Sequence, residues 1–351
     1  MEFLSEYGLF LAKSLTVIIT VALIAGILAS LGQKSKKQEK GHIEVVSLNE
    51  TISTMSDTLA DIVVPADTRK AALKAEKKSH KTEQKTQKKA LKSGVAPIVK
   101  KRVFVLDFHG DLRASAVDSF REEITTVLAQ ASSTDEVVVR LESGGGMVPG
   151  YGLAASQLDR IKKKSIPLTV CIDKVAASGG YMMACVADQI LAAPFAVIGS
   201  IGVVAQIPNV HRLLKKHDVD IELMTAGKYK RTLTMLGENT DEGREKFREE
   251  LEDTHALFKS FVSDHRPDLD VEAIATGEVW YGAPAIKKGL VDDTQTSDEY
   301  LTGQLDSADI YTVTYAHKKS LPEKFGFALE SSSDRLLMRW ARRLMGPAPL
   351  V

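Results

Sequence analysis

An alternation of short apolar runs and amphipathic stretches between residues 103 and 186 most constrains the fold of this chain. Strands are predicted at Val103–Phe108, around Val137 and around Leu168, and a helix follows each, over 114–131, near 148–163 and after Ser178. This order predicts an α/β fold with a parallel sheet, flanking helices and right-handed crossovers. In such sheets, ligand sites lie at the carboxyl ends of the strands.

Reactive or glycine-rich loops follow three of the predicted strands. Residues 142–146 end in three glycines, Ser178 stands at a strand-to-helix junction, and a further predicted strand at 221–227 leads to Lys230. Glycine amides, a serine at a helix start and a lysine at a strand end are groups that acyl transfer needs. From the residues alone, an N-cap role for Ser178, a flexible glycine turn and a solvated Lys230 stay open.

The motifs in these loops, taken in order, resemble those of the S49 peptidases, the signal peptide peptidase family. They are Arg140-Leu141-Glu142-Ser143-Gly144-Gly145-Gly146, Ala177-Ser178-Gly179-Gly180-Tyr181, Ile198-Gly199-Ser200-Ile201-Gly202-Val203 and Gly227-Lys228-Tyr229-Lys230. The resemblance covers about residues 100–295 and implies a Clp protease/crotonase-like fold. Gly144 stands where the family usually has proline.

The resemblance also implies roles for individual residues. Ser178 would be the nucleophile and Lys230 the general base of a Ser/Lys dyad, with Ser200 orienting the lysine amine. The amides of Gly146 and Gly179 would form the oxyanion hole, with Gly145 as the near alternative to Gly146. No metal or organic cofactor is implied.

Histidine and cysteine are the other reactive side chains. None of the eight histidines matches a family motif, and His109, near the end of the first strand, is the candidate to watch. Cys171 and Cys185 fall in an apolar strand and an apolar helix, so we interpret them as buried thiols rather than a disulfide.

An uncharged run near the amino terminus predicts a membrane anchor. Residues 14–31 contain eighteen residues without a charge, and the apolar stretch extends back to residue 9. Glu2 and Glu6 precede it, which is unusual for a cleaved signal peptide, so we expect a single retained span in a bacterial inner membrane. The lysines at 34–40 favour a cytoplasmic body, whereas the family resemblance favours a periplasmic one.

Charge is balanced overall, with 46 basic and 46 acidic residues, but it is unevenly distributed. Between residues 69 and 102 there are thirteen lysines and arginines and only two glutamates. The run lacks interleaved aromatic residues, so we expect a solvated arm and no nucleic-acid partner.

Two further segments resemble membrane-active sequences. Residues 190–210 carry no charge, but glycines and prolines interrupt them, and they are predicted as buried strands and turns. Residues 332–345 are basic and amphipathic, with packing on the same domain, on another subunit or on a membrane all open.

These features predict a membrane anchor at 1–33, a polar and Lys-rich linker region at 34–100, a peptidase domain at 101–295 and a C-terminal extension with an amphipathic helix at 296–351. The resemblance implies a membrane-anchored, homo-oligomeric serine endopeptidase that cleaves extended apolar peptides such as signal-peptide remnants or membrane-protein fragments. The alternatives are a crotonase-like enzyme acting on acyl thioesters and a catalytically silent membrane scaffold.

Overall fold

The computed structural model describes residues 7–21, 41–65, 67–69 and 100–317. Ile43–Tyr315 forms one compact unit, and the remaining described residues belong to a second unit that combines the two ends of the chain. The Lys-rich run at 70–99 and the amphipathic tail at 332–345 lie outside the described residues.

Residues 7–21, in the second unit, are helical. Most of the apolar side chains of this helix are more than half exposed, as Phe10 and Ile18 are at 67% and 64%. No helix within the described ranges is both long enough and apolar enough to cross a bilayer. The predicted span from residue 9 to 31 continues past residue 21, so its second part lies outside the described residues.

The described part of the compact unit is built on one ten-stranded sheet whose central pairs all run parallel. The strands are β1 (His42–Ser47), β2 (Lys101–Gly110), β3 (Glu136–Ser143), β4 (Leu168–Ile172), β5 (Val175–Ala177), β6 (Gln189–Ala192), β7 (Val197–Gly199), β8 (Val279–Tyr281), β9 (Asp293–Thr294) and β10 (Ala308–Ala316). The main order is β1-β10-β2-β3-β4-β6-β9. A branch leaves β3 through β5 and β7 to the antiparallel strand β8. The predicted parallel α/β sheet is therefore confirmed.

Helices connect these strands. They are α1 (Leu48–Val63), α2 (Val117–Leu128), α3 (Val148–Lys162), α4 (Gly179–Ala184), α5 (His211–Lys216), α6 (Asp241–His265), α7 (Val271–Ile274), α8 (Gly282–Lys287) and α9 (Ser297–Thr302). The helices predicted over 114–131 and near 148–163 are confirmed as α2 and α3. On α6 the buried positions are Phe258 and Val262, whereas Leu257 is 73% exposed.

The core lies on both faces of the sheet, as the period-two side-chain pattern of a strand requires. Alternate residues of β2 belong to different clusters: Phe104, Leu106 and Phe108 pack on the side of α2 and α3. Val103 and Val105 pack on the opposite side. A strand buried on both faces is held in place by packing from two layers, so its carboxyl end is a rigid support for a site.

Strand register aligns the loops that carry the motifs. β2 and β3 pair from Val103↔Glu136 to Gly110↔Ser143, so the two strands end level with each other. Ser143 also pairs with Ala176 of β5. The glycine loop after β3 and the serine after β5 therefore start from neighbouring positions at one edge of the sheet.

Two predictions about the segment 203–239 are wrong. Residues 221–227 were predicted as a strand, but they have no regular structure, and Met224 is 85% exposed. Residues 203–210 were predicted to be buried, but they form a largely exposed loop in which Val204 is 91% exposed. A strand needs a partner for its backbone groups, and no described strand pairs with this segment. The neighbouring prediction for 190–199 is confirmed by β6 and β7.

The two cysteines are free thiols buried in the core, as predicted. Burial raises the pKa of Cys171 to about 12 and raises the pKa of Cys185 as well. Both side chains are therefore inert packing groups.

Candidate active site

Ser178 occupies a strained position between β5 and α4. Its φ is +53° and its ψ is −119°, a conformation that residues with a side chain rarely adopt. The Ser178 amide donates a hydrogen bond of 2.8 Å to the Gly199 carbonyl, which fixes the turn. Ser178 stands at the N-cap position, but its hydroxyl makes no capping hydrogen bond. The N-cap interpretation therefore does not explain this serine, whose hydroxyl remains available for another partner.

The glycine loop lies directly against the Ser178 turn. Gly145 has a φ of +87°, and a Cβ added there would come within 2.7 Å of the Ala177 carbonyl, the Gly179 amide and the Ser178 Cβ. Only glycine permits both this backbone conformation and this approach. The amides of the loop are thereby held next to the serine.

A chain of buried hydroxyls supports the glycine loop. The Tyr151 hydroxyl donates to the Asp111 carbonyl at 2.8 Å and lies 2.6 Å from Ser143 Oγ. Since its proton is used, it accepts from Ser143, whose oxygen in turn accepts the Gly145 amide proton at 3.1 Å. Tyr151 is fully buried, and burial raises its pKa, so the phenol keeps its proton. Ser143 lies within the first family motif, but neither it nor Tyr151 was predicted to have a role, because no motif rule pairs the two residues.

Ser178 and the glycine loop open onto a cavity of about 1060 Å³. Ser200 lines the same cavity and has a φ of +53°, while its amide donates to the Glu278 carbonyl at 2.6 Å. Apolar side chains of α4 and α6, namely Met182, Phe258 and Phe261, form another part of the wall. The fold therefore brings Ser178, Gly144–146, Gly179 and Ser200 together, as the sequence predicts for one site.

Lys230 is not among the residues that line this cavity. It lies exposed at the end of a turn, where its amide donates to the Gly227 carbonyl at 3.1 Å. Its side chain makes no ion pair with any residue in the described ranges. The neighbouring Lys228 is different, because its amine lies 2.7 Å from Glu242 Oε1, and this hydrogen bond raises the pKa of Lys228. Lys228 is therefore held in its protonated form.

The histidine singled out from the sequence lies elsewhere. His109 is 3.7 Å from Glu142 Oε2 and lines a different, polar cavity with Asp107 and Arg140. His255, on α6, lines the Ser178 cavity, and its Nε2 is buried without a hydrogen-bond partner in the described structure. Nothing in the local sequence around His255 distinguishes it, because a histidine on an amphipathic helix is common.

Comparison with known proteins identifies the class to which this fold and site belong. Residues 2–158 match the family described as "Peptidase family S49 N-terminal", and residues 160–310 match "Peptidase family S49". The chain belongs to peptidase family S49 and is a protease.

Within this family the chain is similar to proteins described as SohB. It is 51% identical over 344 residues to the "Probable protease SohB" of Haemophilus influenzae, with 97% of each chain covered. It is 47% identical over 340 residues to the protein of the same description from Buchnera aphidicola subsp. Acyrthosiphon pisum, covering 97% of this chain and 98% of the other. A solved mutant of the 1510-N membrane-bound stomatin-specific protease matches at 14% identity and a TM-score of 0.40, covering 59% of this chain and 86% of that one.

Proposed function

We propose that the chain is a serine endopeptidase in which Ser178 is the nucleophile and Lys230 the general base. This proposal rests on the geometry of Ser178, which has a strained backbone and a hydroxyl that makes no capping hydrogen bond. The residue lies against a glycine loop, in a cavity with room for an extended peptide. The amides of Gly146 and Gly179 stabilise the oxyanion, and Ser200 orients the lysine amine. Preorganised donors of this kind are usually the largest electrostatic contribution to acyl transfer.

The proposed reaction has two steps. Lys230, as a neutral amine, takes the proton from the Ser178 hydroxyl while the oxygen attacks the peptide carbonyl, and the proton then passes to the leaving amine. Water, deprotonated by the same lysine, hydrolyses the acyl-enzyme and releases Ser178. Lys230 is proposed rather than Lys228 because it matches the family's Gly-x-Tyr-Lys pattern, and the Lys228 amine is paired with Glu242.

For this chemistry, Lys230 has to reach the cavity from the segment 203–239. We propose that contact between copies of the chain orders this segment over the site, in a homo-oligomer. Support comes from its exposed apolar side chains, since Val204, Leu223 and Met224 are 91%, 53% and 85% exposed. Water-exposed apolar surface of this kind is typical of an interface between proteins.

The proposed substrates are extended apolar peptides, such as signal-peptide remnants and membrane-protein fragments, because Met182, Phe258 and Phe261 give the cavity an apolar wall. We also propose that a span near residues 9–31 holds the enzyme in the bacterial inner membrane, and that the linker region at 34–100 and the extension at 296–351 each contribute a strand, β1 and β10, to the sheet of the peptidase domain at 101–295. The lysines that follow the span favour a cytoplasmic body, and the family resemblance a periplasmic one. Protease protection in spheroplasts decides between these two orientations.

Labelling of the full-length, detergent-solubilised protein with a fluorophosphonate probe tests the proposal. We expect one labelled peptide containing Ser178, loss of the label in Ser178→Ala, and parallel loss of peptide hydrolysis. Ser165→Ala is the matched control, because Ser165 has a similar φ of +54° but is exposed and outside the cavity. Absence of labelling, or peptide hydrolysis that persists in Ser178→Ala, would contradict the role of Ser178 as nucleophile.

A further inference from the structure

Strand β8 ends the branch of the sheet that leaves β3. It pairs with β7 on one side, and no strand in the described ranges pairs with its other side. In an antiparallel ladder, alternate residues direct their backbone groups at the partner strand. The Glu278 carbonyl, just before β8, accepts from the Ser200 amide, so Glu278 faces β7, and Trp280 two residues later does the same. Val279 and Tyr281 therefore face the free edge.

Three backbone groups on this edge have no backbone partner within the described part of the chain. They are the amide and the carbonyl of Val279 and the amide of Tyr281. The Tyr281 carbonyl is different, because Tyr281 is the N-cap of α8 and its carbonyl belongs to the first turn of that helix. An amide and a carbonyl on one residue, followed by an amide two residues later, are the groups to which an added strand bonds.

The side chains beside this edge are apolar and accessible to solvent. Val279 and Tyr281 are two residues apart, so their side chains lie on the same face of the strand. They are 55% and 56% exposed. Phe195 is 84% exposed, and its ring meets that of Tyr281 edge-to-face, with centroids 6.2 Å apart. An apolar residue of an added strand would pack on these side chains.

The edge begins where the wall of the Ser178 cavity ends. Residues 275–277 line the cavity and come directly before Glu278 and β8. At about 3.4 Å per residue, the strand extends the edge about 14 Å from residue 277 to Tyr281. A peptide that leaves the cavity in an extended conformation can therefore continue along β8.

We propose that the free edge of β8 is a docking strand for the substrate, on which the peptide held in the Ser178 cavity continues as one added strand. The proposal rests on the proposed peptidase function and specifies where the substrate binds beyond the cleaved bond. A peptide suits this edge better than a second folded copy, because β8 has three residues and each partner in a stable interface buries about 800 Å². Docking of this kind selects an extended, apolar segment of sufficient length.

The first test uses full-length, detergent-solubilised wild-type enzyme and peptides with one cleavable bond, lengthened a residue at a time on either side. On one side we expect KM to fall by about tenfold over roughly four added residues, as one or two new hydrogen bonds predict. N-methylation of the added residues should raise KM at alternate positions only, because every second amide of an added strand faces β8.

The second test changes the edge itself. Tyr281→Pro removes the outward amide, and the Tyr281 φ of −77° already suits proline. Tyr281→Ala is the matched comparison, because it removes the same ring and keeps the amide. With the long peptide, KM should be roughly fivefold higher in Tyr281→Pro than in Tyr281→Ala. With a peptide that ends at the cavity, the two variants should have equal KM.

The inference is overturned if KM does not depend on length beyond the cavity, or if N-methylation has no alternating effect. These measurements use wild-type enzyme, so they decide the proposal even if Tyr281→Pro does not fold. A changed subunit number in Tyr281→Pro, measured by light scattering, would assign the edge to contact between copies and also overturn it. If wild-type enzyme hydrolyses no peptide, the peptidase proposal fails, and the dissociation constants of the same peptides for Ser178→Ala still decide whether β8 binds them.

Discussion

The Tyr151 hydroxyl joins the glycine loop to the end of β2, and its removal tests whether that loop is held in place for catalysis. Tyr151→Phe keeps the ring, which packs edge-to-face on Phe108 with centroids 6.4 Å apart. It deletes one hydroxyl that contacts the Asp111 carbonyl and Ser143 Oγ. The substitution thereby changes hydrogen bonding and leaves the packed volume almost unchanged.

The size of the effect follows from burial. Ser143 is 1% exposed, so its hydroxyl loses an acceptor that water cannot replace. Such a loss costs about 1–3 kcal/mol, which lowers Tm by roughly 3–10 °C for a domain of this size. A freed Ser143 also holds the Gly145 amide less well. We expect kcat to fall by roughly tenfold, less than the cost of about 10²–10³-fold for deleting an oxyanion donor.

Tyr181→Phe is the matched control. Tyr181 is fully buried in α4, and its hydroxyl donates to the Leu290 carbonyl at 3.0 Å, away from the glycine loop. Peptide hydrolysis and thermal unfolding of both variants should show similar losses of Tm but a loss of kcat in Tyr151→Phe alone. The supporting role of Tyr151 would be refuted if both variants kept the kcat of the wild type, or if both lost kcat to the same extent.

Three further predictions address the base, the acid stability and the membrane. Lys230→Ala and Lys230→Arg should each lower kcat by about 10²–10⁴-fold, while Lys228→Ala keeps most activity; the reverse result in a peptide assay would reassign the base. Burial opposes ionisation of Asp135, but hydrogen bonds from Arg102 and Ser132 lower its pKa from 3.8 to about 2. The ionised Asp135 carboxylate therefore stabilises the fold by about 2 kcal/mol above pH 4, and this contribution is lost as pH falls through 2. In Asp135→Asn the free energy of unfolding should decrease less over this acidic range than in the wild type. An unchanged slope would contradict this. Carbonate washing should leave the full chain in the membrane fraction, and release of the intact body would argue against the span.

Much of the fold was predictable because local patterns carry it. The apolar runs of β2, β3 and β4 and the helical periodicity of α2 and α3 determine element type without reference to the rest of the chain. The positions of the motifs at strand ends then follow from the parallel arrangement. The edge strand β1 and its neighbour β10 were not predicted, since each is exposed on part of its surface and lacks the continuous apolar run of strands such as β3 and β4.

The short strand β5 shows where local patterns stop being sufficient. Val175–Ala177 is three residues long and follows β4 after two residues, so the sequence suggests only a turn before Ser178. It becomes a strand because β3 and β7 lie on either side of it and pair with its backbone. The segment 221–227 is the opposite case, with a strand-like composition and no described partner.

By itself the sequence determined the parallel α/β class and the order of the loops that carry Gly146, Ser178, Gly179 and Ser200. The tertiary structure decided which groups meet: the Tyr151 hydroxyl with Ser143 and the Asp111 carbonyl, His255 with the cavity of Ser178, and Lys228 with Glu242. The physical reason is that helix and strand preferences arise between neighbours in the chain. Hydrogen bonds, burial and the state of a lysine depend on residues that only folding brings within reach.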